Sequence, residues 1–148
     1  MPKSSKLLLF PDVNVWLALT WEGHEHHRIA WRWFQSLDET DRLGFCRFTQ
    51  ISLLRLLTTR AIMNQDTMTQ VGAWSAYDRW FDDDRILFLN EPPKMENGFR
   101  ALSRRLHAEP KLWTDAYLAA FAGTEGMRLV TFDRALAARL DTPMLLEP

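Results

Sequence analysis

The stretch Leu7-Leu8-Leu9-Phe10-Pro11-Asp12-Val13-Asn14-Val15-Trp16 constrains this chain most, because an apolar run leads into a carboxylate and then into a helix-forming segment without a loop. A strand that feeds a helix directly opens an α/β unit, and in open α/β sheets ligands collect beyond the carboxyl ends of the strands. Asp12 is expected at such an end. An aspartate before a helix is also an ordinary N-cap, worth about 1 kcal/mol. Its meaning therefore depends on whether other acids converge on the same edge.

The same grammar recurs along the chain. Asn14 to Thr20 begins a helix, Trp21-Glu22-Gly23-His24 interrupts it, and Ala30, Trp33, Phe34 and Leu37 repeat at helical spacing. Leu43-Gly44-Phe45-Cys46 reads as a second strand, with Thr49 capping a helix to about Arg60. Met68, Val71, Trp74, Tyr77, Trp80 and Phe81 predict a helix from Thr67 to about Asp82 whose apolar stripe packs in the core. Ile86 to Leu89 is a third strand, stopped by Pro92-Pro93. Met95, Phe99, Leu102 and Leu106 give a helix ending around His107 to Pro110, and Trp113 to about Gly123 gives another. Arg128 to Phe132 is a fourth strand, Asp133 precedes a short helix through Leu140, and Met144 to Leu146 is an edge strand. The prediction is an α/β fold in one domain over 1–148, with a mostly parallel central sheet of about five strands flanked by helices.

That topology brings acids together. Asp12 and Asp133 follow strand ends, and Asp115 stands in the first turn of a helix leading back into the fourth strand, so all three are expected at the same carboxyl edge. Carboxylates gathered this way repel unless a cation neutralises them. A hard divalent ion, Mg2+ or Mn2+, suits oxygen ligands and leaves positions for water and substrate phosphate. The chemistry implied is phosphoryl transfer or hydrolysis, with one carboxylate accepting a proton from water.

Composition narrows the remaining classes. A formal net charge of -1 argues against a basic sheath for non-specific DNA binding. One cysteine, Cys46, excludes a disulfide framework and a cysteine zinc site, and fits a reduced, cytoplasmic setting. Lys3 and Lys6 precede an apolar run too short for a signal peptide or a membrane span, so no membrane partner is expected.

At these residues the chain resembles the PIN-domain family, in particular the VapC toxins of toxin-antitoxin pairs. The matching pieces are Asp12-Val13-Asn14-Val15-Trp16-Leu17, Thr114-Asp115-Ala116-Tyr117-Leu118-Ala119-Ala120 and Leu129-Val130-Thr131-Phe132-Asp133. His24, His27-Arg28-Ile29-Ala30, Phe48-Thr49-Gln50 and Leu54-Arg55-Leu56-Leu57-Thr58 look like one VapC subgroup. The resemblance implies a Mg2+-dependent endoribonuclease, silenced by a cognate antitoxin and usually a homodimer. Carried over, Asp12 and Asp115 are metal ligands, Asp133 completes the catalytic acids, Thr131 orients Asp133, and Asn14 orients Asp12. Arg55 departs from the pattern, since it aligns best with a family glutamate. It pairs with an acid, reaches substrate phosphate, or sits outside the site. The alternative function is a degenerate PIN domain that binds RNA or protein without cutting.

Other features receive duller readings. His24, Glu25, His26 and His27 are assigned to local packing at a helix start, since zinc would need further ligands on their face. Asp82-Asp83-Asp84 is a solvated turn. Arg100 and Arg104, expected on one helical face beside Arg105 and Lys111, are candidate RNA phosphate contacts, with a solvated face as the plainer reading. Trp16, Trp21, Trp31 and Trp33 read as core or interface residues before base-stacking platforms, with an interface to a second protomer or an antitoxin helix favoured. A phosphatase with Asp12 as nucleophile would want a second acid where Asn14 stands.

Overall fold

In a computed structural model the protein is described over residues 7–147; Lys3 and Lys6 lie outside that range. Strand β1 (Leu8–Pro11) passes into helix α1 (Val13–Thr20), and α2 (His27–Gln35) returns the chain to β2 (Arg42–Phe45). Then follow α3 (Arg47–Leu57), the short α4 (Arg60–Met63), α5 (Gln70–Trp80) and β3 (Ile86–Phe88). The remainder is α6 (Glu96–Ser103), α7 (Leu112–Thr124), β4 (Arg128–Thr131), α8 (Arg134–Ala137) and β5 (Met144–Leu145). All five strands are parallel, in the order β3-β2-β1-β4-β5. Strand order reverses direction beside β1, so the crevice between the carboxyl ends of β1 and β4 is the topological switch point. No described helix is long and apolar enough to cross a membrane.

Both sheet faces are covered, which explains the unbroken apolar strands. Leu9 and Phe10 are consecutive and both fully buried, yet Leu9 joins the core that holds Trp16, Phe45 and Leu53, whereas Phe10 joins the opposite core with Phe121 and Leu136. Val130 and Leu129 divide in the same way. Alternation of side chains along a strand sends neighbours to opposite layers. Phe10 stacks on Phe121 with ring centroids 4.7 Å apart, and Trp16 on Phe45 at 3.8 Å. Gly126, at φ 66°, turns the chain out of α7 towards β4.

Several element ends differ from expectation for local reasons. Cys46, not Thr49, caps α3: the Thr49 hydroxyl instead accepts from the Cys46 backbone N–H at 3.0 Å, from inside the first turn. Thr69 caps α5 by accepting from Gly72 N–H at 2.9 Å, so that helix starts after Thr67. Its stripe is not all core, for Tyr77 is buried while Val71 and Trp74 are 76% and 47% exposed. Helix α6 stops at Ser103, whose hydroxyl donates to the Phe99 carbonyl at 2.6 Å while Arg104 is extended.

Three of the four tryptophans expected at an interface have partners within the chain. Trp16 is fully buried, Trp21 donates its indole N–H to Asp66 at 2.9 Å, and Trp33 donates to the Met144 sulfur at 3.0 Å. Only Trp31 of those four counts among the exposed large hydrophobic residues. Asp83 pairs with Arg85 at 2.7 Å, in keeping with a structural turn at Asp82–Asp84.

Candidate functional site

Asp12 ends β1 and caps α1. Its backbone N–H donates to the Val130 carbonyl at 2.9 Å, extending the β1–β4 ladder by one bond. Its Oδ1 accepts from the backbone N–H groups of Asn14 at 3.0 Å and Val15 at 3.2 Å. The Thr131 hydroxyl donates to Oδ2. The carboxylate is thus fixed by the start of one helix and the end of a neighbouring strand. Asp12 is 5% exposed, and burial pushes its pKa from an ordinary 3.8 to about 6, against the pull of those hydrogen bonds and with a further push from the negative charge of Asp133.

Asp133 ends β4 and caps α8, its Oδ1 accepting from Ala135 N–H at 2.8 Å and Leu136 N–H at 3.1 Å. The residue is exposed. The family resemblance has Thr131 orient this acid, but its hydroxyl proton goes to Asp12, and toward Asp133 it only accepts the backbone N–H at 2.9 Å. It is an Asp12 positioning group first. Asn14 likewise supports Asp12 through its backbone N–H, and its own side chain is on an exposed residue lining the crevice.

Asp115 lies in the first turn of α7, half-buried, with its pKa raised by burial first and then by the charge of Asp133, while Arg139 opposes the shift. Asp133 is therefore the electrostatic link between the other two acids. Among the described residues no lysine or arginine forms an ion pair with any of the three. The convergence is looser than the sequence implied, however. A crevice of about 350 Å3 is lined by Asp12, Asn14, His24, Glu25, His26, Phe132 and Asp133, and Asp115 is not in its wall. Among the described residues no three acidic, imidazole or thiol groups are close enough to form a cation cage unaided.

The donors nevertheless fit a hard divalent ion. They are carboxylate oxygens, none of them is in an ion pair with a basic side chain among the described residues, and Asp12 is held in its anionic form only at a desolvation cost. Ions such as Mg2+ retain waters and need few protein ligands, so an open edge is compatible with binding where a closed cage is not required.

The basic candidates are elsewhere. Arg55 is exposed on α3 and lines a separate cavity with Ile51, Leu54, Thr58, Gln70, Ala73 and Trp74, facing α5. Of the three placements open to it, the structure takes the one outside the acids. Arg100 pairs with Glu96 at 2.8 Å, and Arg104 lies beyond the end of α6, so the two do not share a helical face. A larger cavity of about 560 Å3, with Gly98, Ala119, Gly123 and Leu140 in its wall, contains none of the three acids.

The crevice also contains residues that the sequence places in local packing at a helix start. His24 and His26 belong to its wall because the segment after α1 folds back on itself. His24 N–H donates to the Trp21 carbonyl at 3.1 Å, His27 N–H to the His24 carbonyl at 3.0 Å, and His24 Nδ1 accepts from His26 N–H at 3.0 Å. Burial, assisted by the adjacent His26, lowers the pKa of His24. The only trace of this in the sequence is the break at Trp21–Gly23, which signals a loop without saying where it goes. His27 does have the packing role expected of the cluster, its ring Nδ1 lying 2.7 Å from the Ala18 carbonyl oxygen.

Over residues 9–141 the chain matches the family model of the PIN domain. It is 46% identical over 132 residues to the ribonuclease VapC41 of Mycobacterium tuberculosis, covering 86% of this chain and 90% of that one. Identity to ribonuclease VapC39 of the same species is 32% over 133 residues, covering 85% and 88%. Among solved structures, VapC20 of M. tuberculosis, a Sarcin-Ricin loop cleaving toxin, aligns with a TM-score of 0.65 at 19% identity over 88% of this chain and 93% of its own. VapBC2 of Rickettsia felis, bound to a DNA fragment from its promoter, aligns at 0.67 and 12% identity over 96% and 99%. At those identities the structural likeness is one of fold.

Proposed function

Because this chain belongs to the PIN-domain family, in its VapC branch, we propose that it is a metal-dependent endoribonuclease and the toxin of a toxin-antitoxin pair. One observation carries the proposal beyond family membership: a buried carboxylate, Asp12, at the switch point of the sheet, with Asp133 beside it and no basic partner. A carboxylate kept there against desolvation fits a ligand for a cation.

Asp12 and Asp115 would hold Mg2+ or Mn2+, and Asp133 completes the acidic set. When bound, such an ion offsets phosphate charge and lowers the pKa of a water. The protein's own contribution is placement. Thr131 and the first α1 amides hold Asp12 still. Asp133 spends Oδ1 on its helix cap and retains Oδ2 to accept a proton from the attacking water. Arg55 lies outside this chemistry.

The partners proposed are RNA as substrate, a cognate antitoxin, and a second copy of the chain, in a cytoplasmic setting. Support for the antitoxin comes from the toxin–antitoxin complexes among the structural neighbours. Support for self-association comes from exposed Ile51, Val71 and Trp74 along α3 and α5.

The test is cleavage of RNA by purified protein with Mg2+ or Mn2+, abolished by chelation and by Asp12→Asn. The looseness of the acid set favours one competing reading, a PIN domain that binds RNA or protein without cutting. RNA binding without metal-dependent turnover would establish that reading instead.

A further inference from the structure

Three rings line the crevice that holds Asp12 and Asp133. Phe132 sits between Thr131, which donates to Asp12, and Asp133 itself. Its ring lies 4.8 Å from that of His26 and 6.4 Å from that of His24, the latter nearly parallel at 16°. The two histidine rings are 5.7 Å apart. All three residues are half-buried and line the same crevice as Asp12 and Asp133. The loop carrying the histidines is tied down at Trp21, His24 and Ala18, so the rings are held in place before any ligand arrives.

The charge pattern says which part of a nucleic acid this wall suits. Glu25 is in the same wall and lies 3.2 Å from the His26 Nε2, so the rim has no net positive charge to offer a phosphate. A neutral, flat group is accepted there more readily than an anionic one. Single-stranded RNA supplies such groups as unstacked bases, and base–aromatic stacking is worth enough to fix a strand.

We propose that His24, His26 and Phe132 form a stacking platform for the RNA base adjoining the scissile phosphate, which positions the strand over Asp12 and Asp133. This rests on the nuclease reading and deepens it, since it assigns a substrate-positioning role to side chains that hold no metal. The platform takes a single-stranded or flipped-out base, because a base inside a duplex has no free face to offer.

The experiment uses short single-stranded RNAs in which 2-aminopurine replaces one base at successive positions, with Ca2+ in place of Mg2+ so that the strand is not consumed. The intact protein should quench the probe at one position, next to the bond that is cut when Mg2+ is supplied. His24→Ala with His26→Ala should remove that quench and weaken binding roughly tenfold. His24→Phe with His26→Phe should restore both, because a ring face survives without the imidazole nitrogens. Quenching that is absent in the intact protein although RNA binds, or unchanged in the alanine pair, overturns the platform and leaves the nuclease reading standing. Failure to bind any of these strands overturns the platform, and absence of metal-dependent cleavage of any RNA overturns the nuclease reading on which it rests.

Discussion

Asp12 and Asp133 occupy the same local position: each ends a parallel strand, and each caps a helix with Oδ1 by accepting backbone N–H groups two and three residues on. Their surroundings differ. Asp12 is at the end of the central strand, beneath Thr131, and only 5% exposed. Asp133 stands one strand further out, in solvent. The same sequence grammar yields in one place a carboxylate whose pKa is pushed to about 6 and in the other an accessible acid. Capping is a property of the local sequence, whereas ligand chemistry comes from what the sheet places over the cap.

Exchanging the carboxylates for amides should expose that difference most strongly. Asparagine caps helices as well as aspartate does, so Asp12→Asn keeps the α1 cap while removing a buried charge. Cleavage should fall at least about a thousandfold, while the metal-free protein at neutral pH becomes more stable by roughly 1–3 kcal/mol in chemical denaturation. The same change at Asp133 should lower cleavage but leave stability within about 0.5 kcal/mol. Equal stability effects at the two positions would mean that burial of Asp12 carries no charge penalty.

A smaller effect is expected at Thr131, whose hydroxyl joins the two caps by donating to Asp12 and accepting from the Asp133 backbone. Thr131→Val keeps the shape and loses both bonds. It should cost about 1–3 kcal/mol of stability and lower the cleavage rate by about tenfold or more, measured on the same RNA as the wild type. The smallest effect is expected at Arg55, which faces α5 and not the acids. Arg55→Ala should leave the single-turnover cleavage rate within about twofold, since surface changes away from the site are nearly neutral.

The strands were legible in the sequence because both faces of the sheet are buried, which makes Leu7 to Phe10, Leu43 to Cys46 and Leu129 to Phe132 read as short apolar runs. Asp12 and Asp133 follow from the strands, since a parallel sheet leaves the strand ends on one edge, whereas Asp115, on α7, stays out of the crevice wall they line. What the sequence withheld concerns what lies above an element. The spacing of Val71 and Trp74 gives a helical face but not that the face is open. Arg55 occupies a position on α3 whose direction depends on how α3 packs against α5. His24 and His26 reach the crevice through a chain of loop hydrogen bonds that starts at Trp21 and has no periodic signature.

If Asp12 is a desolvated carboxylate kept for a cation, a carboxyl-carbon NMR titration of Asp12 without and with Mg2+ will show it. Without metal the group should titrate at about 6, above its ordinary 3.8. The sign is then fixed: stability from this group is complete below its unfolded pKa and is lost as pH rises through the folded value, which makes the metal-free protein less stable at neutral pH than in mild acid. Mg2+ should pull the midpoint below 6 and restore the neutral-pH stability. An Asp12 that titrates at its ordinary value, with no response to Mg2+, would contradict the claim.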